Sequence, residues 1–332
     1  MRAAYYSKTG SADVIQTGEL PTPVPGAGQV LVKISYSAVN PIDLYIRSGM
    51  VAATLPDTFV PNADFAGKVT AIGSDVKRFK VGDQVWGSNQ GMMNRQGTAA
   101  EYAAVHEDWV YPLPSGVKSE DAAAVALTGI TAHLGLFQTA ELKPGETVFV
   151  NGGTGGVGSM VVQMAKAHGC KVITTVGSEA KANLCRSWGT DLVLNYKTDD
   201  IAAKVKEFTG NQGANVWFET QREPSFEIIL PLMKLRGRVV IIAGRASKPT
   251  LPFGAFYTKD LSIRGMAMFN ASAAEQRVCA EDINRWLAAC KLKAVIGKTY
   301  LLVETAEAHR FLEANTMHGA GTLVGKVVIH VQ

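Results

Sequence analysis

Between residues 147 and 267 short apolar runs alternate with segments whose apolar residues recur at helical spacing. The runs Thr147 to Val150, Lys171 to Val176, Leu192 to Asn195, Asn215 to Glu219 and Arg238 to Ala243 read as strands, and Leu261 to Ala267 as a sixth. This alternation predicts an α/β fold with a doubly wound parallel sheet and a ligand at the carboxyl ends of its strands. Residues 1 to 110 read differently, as short strands such as Val30 to Ser37, Asp64 to Ile72 and Gln84 to Trp86, with prolines at 21, 23, 25, 41, 56 and 61 between or beside them. That pattern predicts a β-rich, partly closed barrel. A helical stretch from Ser119 to Phe137 leads into the second region. The tail reads as helix (Ala273 to Lys291), strand (Lys298 to Val303), helix (Thr305 to Asn315) and strand (Lys326 to Val331), and is expected to return to the barrel. The domains are expected at 1–124 with 268–332, and at 125–267.

Composition narrows the class. A chain of 332 residues exceeds one ordinary core and suits two domains. With 47% hydrophobic residues, no apolar run near the ~20 residues of a membrane span and no secretory apolar segment at the N-terminus, a cytoplasmic protein is expected. Cys170, Cys185, Cys279 and Cys290 lie far apart, which excludes a disulfide framework or zinc knuckle. The net charge of +4 is dispersed, so nucleic acid is not an expected partner. The apolar segment LSIRGMAMF at a sheet edge predicts a homodimer joined there.

The chemistry is signalled by NGGTGGVG, Asn151 to Gly158, between the first strand of the series and a helix running on from Ser159 to His168. Gly153, Gly155 and Gly158 satisfy GxGxxG, in which the first glycine permits the tight turn, the second admits a pyrophosphate and the third lets helix and strand pack closely. The loop Gly153, Thr154, Gly155, Gly156, Val157 and Gly158 is therefore the expected dinucleotide cradle. No carboxylate ends the second strand, whereas Ser178, Lys181 and Tyr196 offer a cation and hydroxyls to a 2′-phosphate. NADPH is expected over NADH, with Glu179 read as a first-turn helix acid.

The strings VNPIDLYIRSG (Val39 to Gly49), PNADFAG (Pro61 to Gly67), VGDQVWG (Val81 to Gly87), ALTGITA (Ala126 to Ala132) and NGGTGGVG followed by QMAKAHG extend the picture. Over nearly its whole length the chain resembles the medium-chain dehydrogenase/reductase superfamily, and within it the zinc-independent, zeta-crystallin-like quinone oxidoreductases. The resemblance implies a GroES-like barrel with a Rossmann domain. It implies an adenosine-phosphate end contacted by Gly177, Lys181 and Tyr196, and a nicotinamide end at Asn40, Tyr45, Thr128, Ala243, Gly244, Arg245, Met268 and Phe269. Where zinc-dependent relatives carry catalytic metal ligands, this chain has Asn40, Ala63 and Leu127, which cannot hold the ion. Two departures stand out. Asn315 occupies a place where some relatives have a phosphate-binding arginine, and Glu219-Thr220-Gln221-Arg222 replaces a glycine-containing turn.

The expected activity is NADPH-dependent, metal-free reduction of a quinone by hydride or single electrons, with Tyr45 and Asn40 hydrogen-bonding the developing oxyanion and Tyr45 or water giving the proton. Reduction of an enone, enal or enoyl thioester is the alternative, and a non-catalytic NADPH-binding crystallin-like role is a second. Tyr45, Met50, Leu55, Met92, Phe253 and Phe269 are expected to shape the substrate pocket.

Overall fold

The structure, a computed structural model, describes residues 1–52 and 55–331. In chain order it opens with β1 (Arg2–Tyr5), β2 (Gln16–Glu19), β3 (Gln29–Val39), α1 (Pro41–Arg47), β4 (Asp64–Ile72), β5 (Gln84–Gly87), β6 (Tyr102–His106), β7 (Val110–Pro112) and α2 (Ser119–His133). Then come β8 (Thr147–Asn151), α3 (Gly156–Ala167), β9 (Lys171–Val176), α4 (Glu179–Ser187), β10 (Leu192–Asn195), α5 (Ile201–Phe208) and β11 (Ala214–Glu219). The series continues through α6 (Phe226–Ile229), β12 (Met233–Ile241), α7 (Phe253–Tyr257) and β13 (Ser262–Gly265). The tail adds α8 (Ala273–Ala288), β14 (Ile296–Leu301), α9 (Thr305–Thr316) and β15 (Lys326–His330). These elements form two compact units, residues 1–127 with 272–332, and residues 128–271.

The first unit is built on a sheet in the order β14-β15-β3-β4-β5-β7. Its organising strand is β3, where Val30, Val32 and Ile34 alternate into the core at 0% exposure. One edge of β3 pairs β6 along Gln29–Lys33 and β15 along Tyr36–Val39, while β4 runs along the other edge. Register shifts between β3 and β4 at Leu31/Val32 and Ile34/Tyr36 bend the pair, which curls the sheet toward a barrel. The C-terminal return is thus a structural part of this unit.

The second unit holds a six-stranded parallel sheet in the order β10-β9-β8-β11-β12-β13. Its inner strands β8, β9 and β11 are buried at nearly every successive residue, as strands covered on both faces are. Phe149 of β8 stacks on Trp217 of β11 with ring centroids 3.7 Å apart. The strand order reverses direction between β8 and β11, the switch point at which ligands bind in such sheets.

Some boundaries differ from the sequence expectation for local reasons. The helix expected to run to Phe137 is α-helical to His133 and continues as a π-helix over Leu134–Thr139. A Cβ on Gly135 would stand 2.5 Å from the Phe218 ring, so glycine lets this segment press onto β11. The strand expected from Arg238 begins at Met233, with a register shift against β11, and ends at Ile241. The one expected at 298–303 is Ile296–Leu301, because Leu301 N donates to Glu304 Oε2 at 2.7 Å and closes a short helical turn. Residues Ser119–Thr139 have the length and apolarity of a membrane span, but 78% of the apolar 18-residue window within it is buried in the fold.

Candidate functional site

At the end of β8 the chain enters the glycine turn. The left-handed residue is Gly152, with φ +89°, so the tight turn belongs to Gly152 rather than to Gly153. Gly153 is required for another reason, since a Cβ there would lie 2.1 Å from Thr174 Oγ1. On Gly158 a Cβ would lie 2.1 Å from the Gly152 carbonyl oxygen, which is the close packing of helix on strand. Gly155 differs from both: it is exposed, and the nearest atom to an added Cβ is 3.5 Å away. That space is open to a ligand. The first bond of α3 runs from Ser159 N to Gly155 O, leaving the N–H groups of Gly156, Val157 and Gly158 without partners inside the helix. Thr154 is buried within the turn. An open glycine tip under three such N–H groups fits a pyrophosphate.

Beyond β9 lie Gly177 and Ser178, the latter capping α4 by accepting from Lys181 N at 3.4 Å. A side chain on Gly177 would collide with the Tyr196 phenol, which follows β10 and is 59% exposed. Burial, and then the Lys197 charge, hold the Lys181 pKa below the usual ammonium range. Lys197 was not among the residues read from the sequence, although its position beside Tyr196 in LNYKTDD was the available signal. Two neighbouring ammonium groups favour a dianion between them. Glu179 pairs with Arg186 Nη1 at 2.5 Å.

Two further groups of expected residues follow β12 and β13. Gly244 has φ +87°, and an added Cβ there would meet Arg222 O at 2.6 Å, while Ala243 is half-buried and Arg245 exposed. Met268 is buried and Phe269 half-buried in the turn Met268–Asn270. Thr128 is buried on α2. The expected residues that follow β8, β9, β10, β12 and β13 thus all sit past the carboxyl ends of these parallel strands. Phe253, by contrast, is 71% exposed on α7.

In the barrel unit, Asn40 caps α1, its N–H donating to Asp43 Oδ2 at 2.7 Å. Its amide nitrogen donates to Asp64 Oδ2 at 2.8 Å and its amide oxygen accepts from Lys326 Nζ. Lys326 also donates to Val39 O at 3.0 Å and lies 3.4 Å from Asp64 Oδ2. Asp64 Oδ1 accepts from Ser88 Oγ at 2.7 Å and from Leu127 N at 3.1 Å. Every side chain in this cluster is buried, with Asp64 at 0% and Lys326 at 5% exposure. Burial pushes the Asp64 pKa up and the Lys326 pKa down, and their mutual attraction opposes both. Burial likewise raises Asp43 to about 8. Both ends of the Asn40 amide are therefore engaged inside the barrel, and Tyr45 is half-buried on α1.

This corner does not fit zinc. Ala63 and Leu127 carry no donor atom, Asp64 already faces an ammonium, and no three His, Cys, Asp or Glu side chains converge among the described residues. Lys326 escaped the sequence reading; its one signal was a lysine opening the otherwise apolar run KVVIHV. Asn315 serves its own loop, its Oδ1 accepting from Thr322 N at 2.8 Å and Leu323 N at 2.7 Å.

Known proteins share this architecture. Residues 26–115 match the family model of the alcohol dehydrogenase GroES-like domain, and residues 156–284 that of the zinc-binding dehydrogenases. The quinone oxidoreductase of Homo sapiens is 31% identical over 330 residues, covering 99% of this chain and 97% of its own. A structure described as an NAD-dependent alcohol dehydrogenase superposes with a TM-score of 0.88 at 31% identity, covering 100% of both chains. The Escherichia coli quinone oxidoreductase complexed with NADPH does so with a TM-score of 0.85 at 26% identity, covering 99% of this chain and 100% of that one. Because the identity runs from end to end through both units, the chain belongs to the quinone oxidoreductase family of the medium-chain dehydrogenase/reductase superfamily.

Proposed function

We propose that this oxidoreductase uses NADPH to reduce quinones without a catalytic metal. The observation that carries the reading is the buried Lys326–Asp64–Asn40 cluster, whose donors are already committed to an ammonium rather than to a metal ion. A site without a Lewis acid suits an acceptor already activated by conjugation, and a quinone is one. Bound NADPH supplies hydride from C4 of its nicotinamide.

The chain's own contribution is binding, alignment and one hydrogen bond. The turn from Gly153 to Gly158 holds the pyrophosphate, with Gly155 leaving the room and the first N–H groups of α3 facing the charge. Ser178, Lys181, Tyr196 and Lys197 hold the 2′-phosphate. Thr128, Ala243, Gly244, Arg245, Met268 and Phe269 hold the nicotinamide end. The Tyr45 hydroxyl hydrogen-bonds the acceptor oxygen and supplies its proton, while Asn40, fixed by Lys326 and Asp64, holds the start of the helix that carries Tyr45.

Purified protein is expected to oxidise NADPH with quinones, to keep that activity after exhaustive chelation, and to leave ethanol unreacted. Turnover of enones with none of quinones would move the reading to double-bond reduction. Absence of turnover with every conjugated carbonyl would leave a binding protein only.

Lys181→Ala is expected to weaken NADPH binding by about 1–3 kcal/mol, the range of charge-assisted bonds, with NADH nearly unchanged. Calorimetric titration of both nucleotides reads this directly, and equal affinities in the parent protein would remove the phosphate assignment.

The proposal includes a cytoplasmic homodimer. Its four cysteines are free thiols, which suits a reducing compartment. β13 ends the sheet, and a two-fold partner pairing along it would cover that edge. Sedimentation at micromolar concentration is expected to give twice the 35.4 kDa chain mass, and a monomer alone would refute the dimer.

A further inference from the structure

Glu219 ends β11 level with Asn151, the last residue of β8, across the switch point of the parallel sheet. Its side chain is 1% exposed. Both carboxylate oxygens accept from Asn151 Nδ2 at 3.0 Å, Oε2 also accepts from Trp217 Nε1 at 3.0 Å, and Oε1 from Gln221 N at 2.7 Å. The Thr220 N–H adds a further donor, and together these bonds oppose the burial that pushes the Glu219 pKa up. Every named group facing this carboxyl is thus a donor, which only an ionised carboxylate satisfies on both oxygens.

The consequence is directional. With its nitrogen turned to Glu219, the Asn151 amide presents its oxygen to Thr175, whose hydroxyl donates to it at 2.8 Å. The Thr175 oxygen then accepts from Gly152 N at 3.0 Å. Gly152 is the left-handed residue of the glycine turn. The next residue adds a second hold on the same spot, for the Thr220 hydroxyl donates to the Asn151 carbonyl oxygen.

We infer that Glu219 is a positioning residue which, acting through Asn151 and Thr175, sets the glycine turn for the dinucleotide. The inference rests on the nucleotide reading of that turn. Glu219 touches no cofactor atom in this account. It fixes which way an amide and a hydroxyl point, and so holds the Gly152 N–H against the sheet while the N–H groups of Gly156, Val157 and Gly158 at the start of α3 remain for phosphate.

Glu219→Gln tests this sharply, because an isosteric amide must turn its own NH2 toward the Asn151, Trp217, Thr220 or Gln221 donors. Thr175→Val removes the last link of the relay at nearly constant volume and stands in if Glu219→Gln does not fold. NADPH and NADH would each be titrated by fluorescence into parent and variants, with kcat taken at saturating NADPH. Hydrogen exchange across residues 151–158 would be followed in the nucleotide-free proteins. Both variants are expected to bind NADPH and NADH more weakly by the same factor, roughly 10-fold. Their kcat is expected within about 2-fold of the parent, with faster exchange confined to the turn. Folded variants that bind like the parent, that lose only NADPH, or that lose kcat at unchanged affinity would each overturn the relay. If the parent bound neither nucleotide, the dinucleotide reading itself would fall, a result distinct from all three.

Discussion

Lys326→Met is expected to cost about 3–5 kcal/mol of folding stability at neutral pH, the range for removing one member of a buried ion pair. The ammonium has three oxygen partners, Val39 O, Asn40 Oδ1 and Asp64 Oδ2, and almost no contact with solvent. Methionine fills the stem's volume but leaves Asp64 without its cation. The sign of the pH dependence follows. Asp64 already has its pKa raised by burial, and losing Lys326 removes the attraction that opposes that rise. Its carboxyl would then be protonated in the folded state at a pH where it is ionised in the unfolded chain. Stability from this group is therefore fully present below the unfolded pKa of about 4 and is lost as pH rises through the folded pKa. The variant's deficit should be smaller in acid than at neutral pH. Adding Asp64→Asn should cost less than the sum of the two single changes, since it removes the uncompensated charge. Urea unfolding of the single and double variants at two pH values measures all of this, and a Lys326→Met protein as stable as the parent would show the pair to be energetically idle.

Gly155→Ala and Gly158→Ala are expected to fail in opposite ways. Gly155 has φ −72° in the extended region, and an alanine Cβ there meets nothing closer than 3.5 Å. Stability should stay within about 1 kcal/mol of the parent. The methyl group nevertheless occupies the space proposed for the pyrophosphate, so NADPH and NADH affinity should each fall roughly 100-fold, or about 2.7 kcal/mol. At Gly158 the added Cβ would lie 2.1 Å from the Gly152 carbonyl oxygen and 3.2 Å from Gly153 Cα. Backbone must move, and a loss of about 3 kcal/mol is expected. Thermal unfolding paired with nucleotide titration separates the two outcomes. A Gly155→Ala protein with parental nucleotide affinity would exclude phosphate from that tip.

The two halves of the fold were legible for different reasons. Strands β8 and β9 are buried on both faces and the edge strand β10 is half-buried, yet each reads as a short, largely apolar run, and their expected limits match within a residue. β12 was less legible because its first residues carry Lys234, Arg236 and Gly237 and belong to an irregular pairing with β11. The glycine turn was readable as a motif, yet which glycine takes the left-handed conformation was not, since NGG offers two neighbours of identical composition. The polar relays were invisible for a deeper reason. Lys326 meets Asp64 and Asn40, and Glu219 meets Asn151, only after sheet pairing brings remote segments together. Read singly, each is an ordinary polar residue at the end of a strand.

The division of the barrel unit between the two ends of the chain has a consequence for biosynthesis. Residues 128–271 are contiguous and can complete their sheet while later residues are still being added at the ribosome. The barrel unit has to wait. Until Val327–His330 emerges, the stretch Tyr36–Val39 of β3 has no strand to pair with on that edge, and Asp64 is held without the lysine that neutralises it. The nascent first unit therefore carries an open strand edge, and Asp64 lacks its ammonium partner, through the whole translation of the second. Closure of the barrel therefore follows the synthesis of the second unit, and the same short segment both seals the sheet and delivers its buried cation.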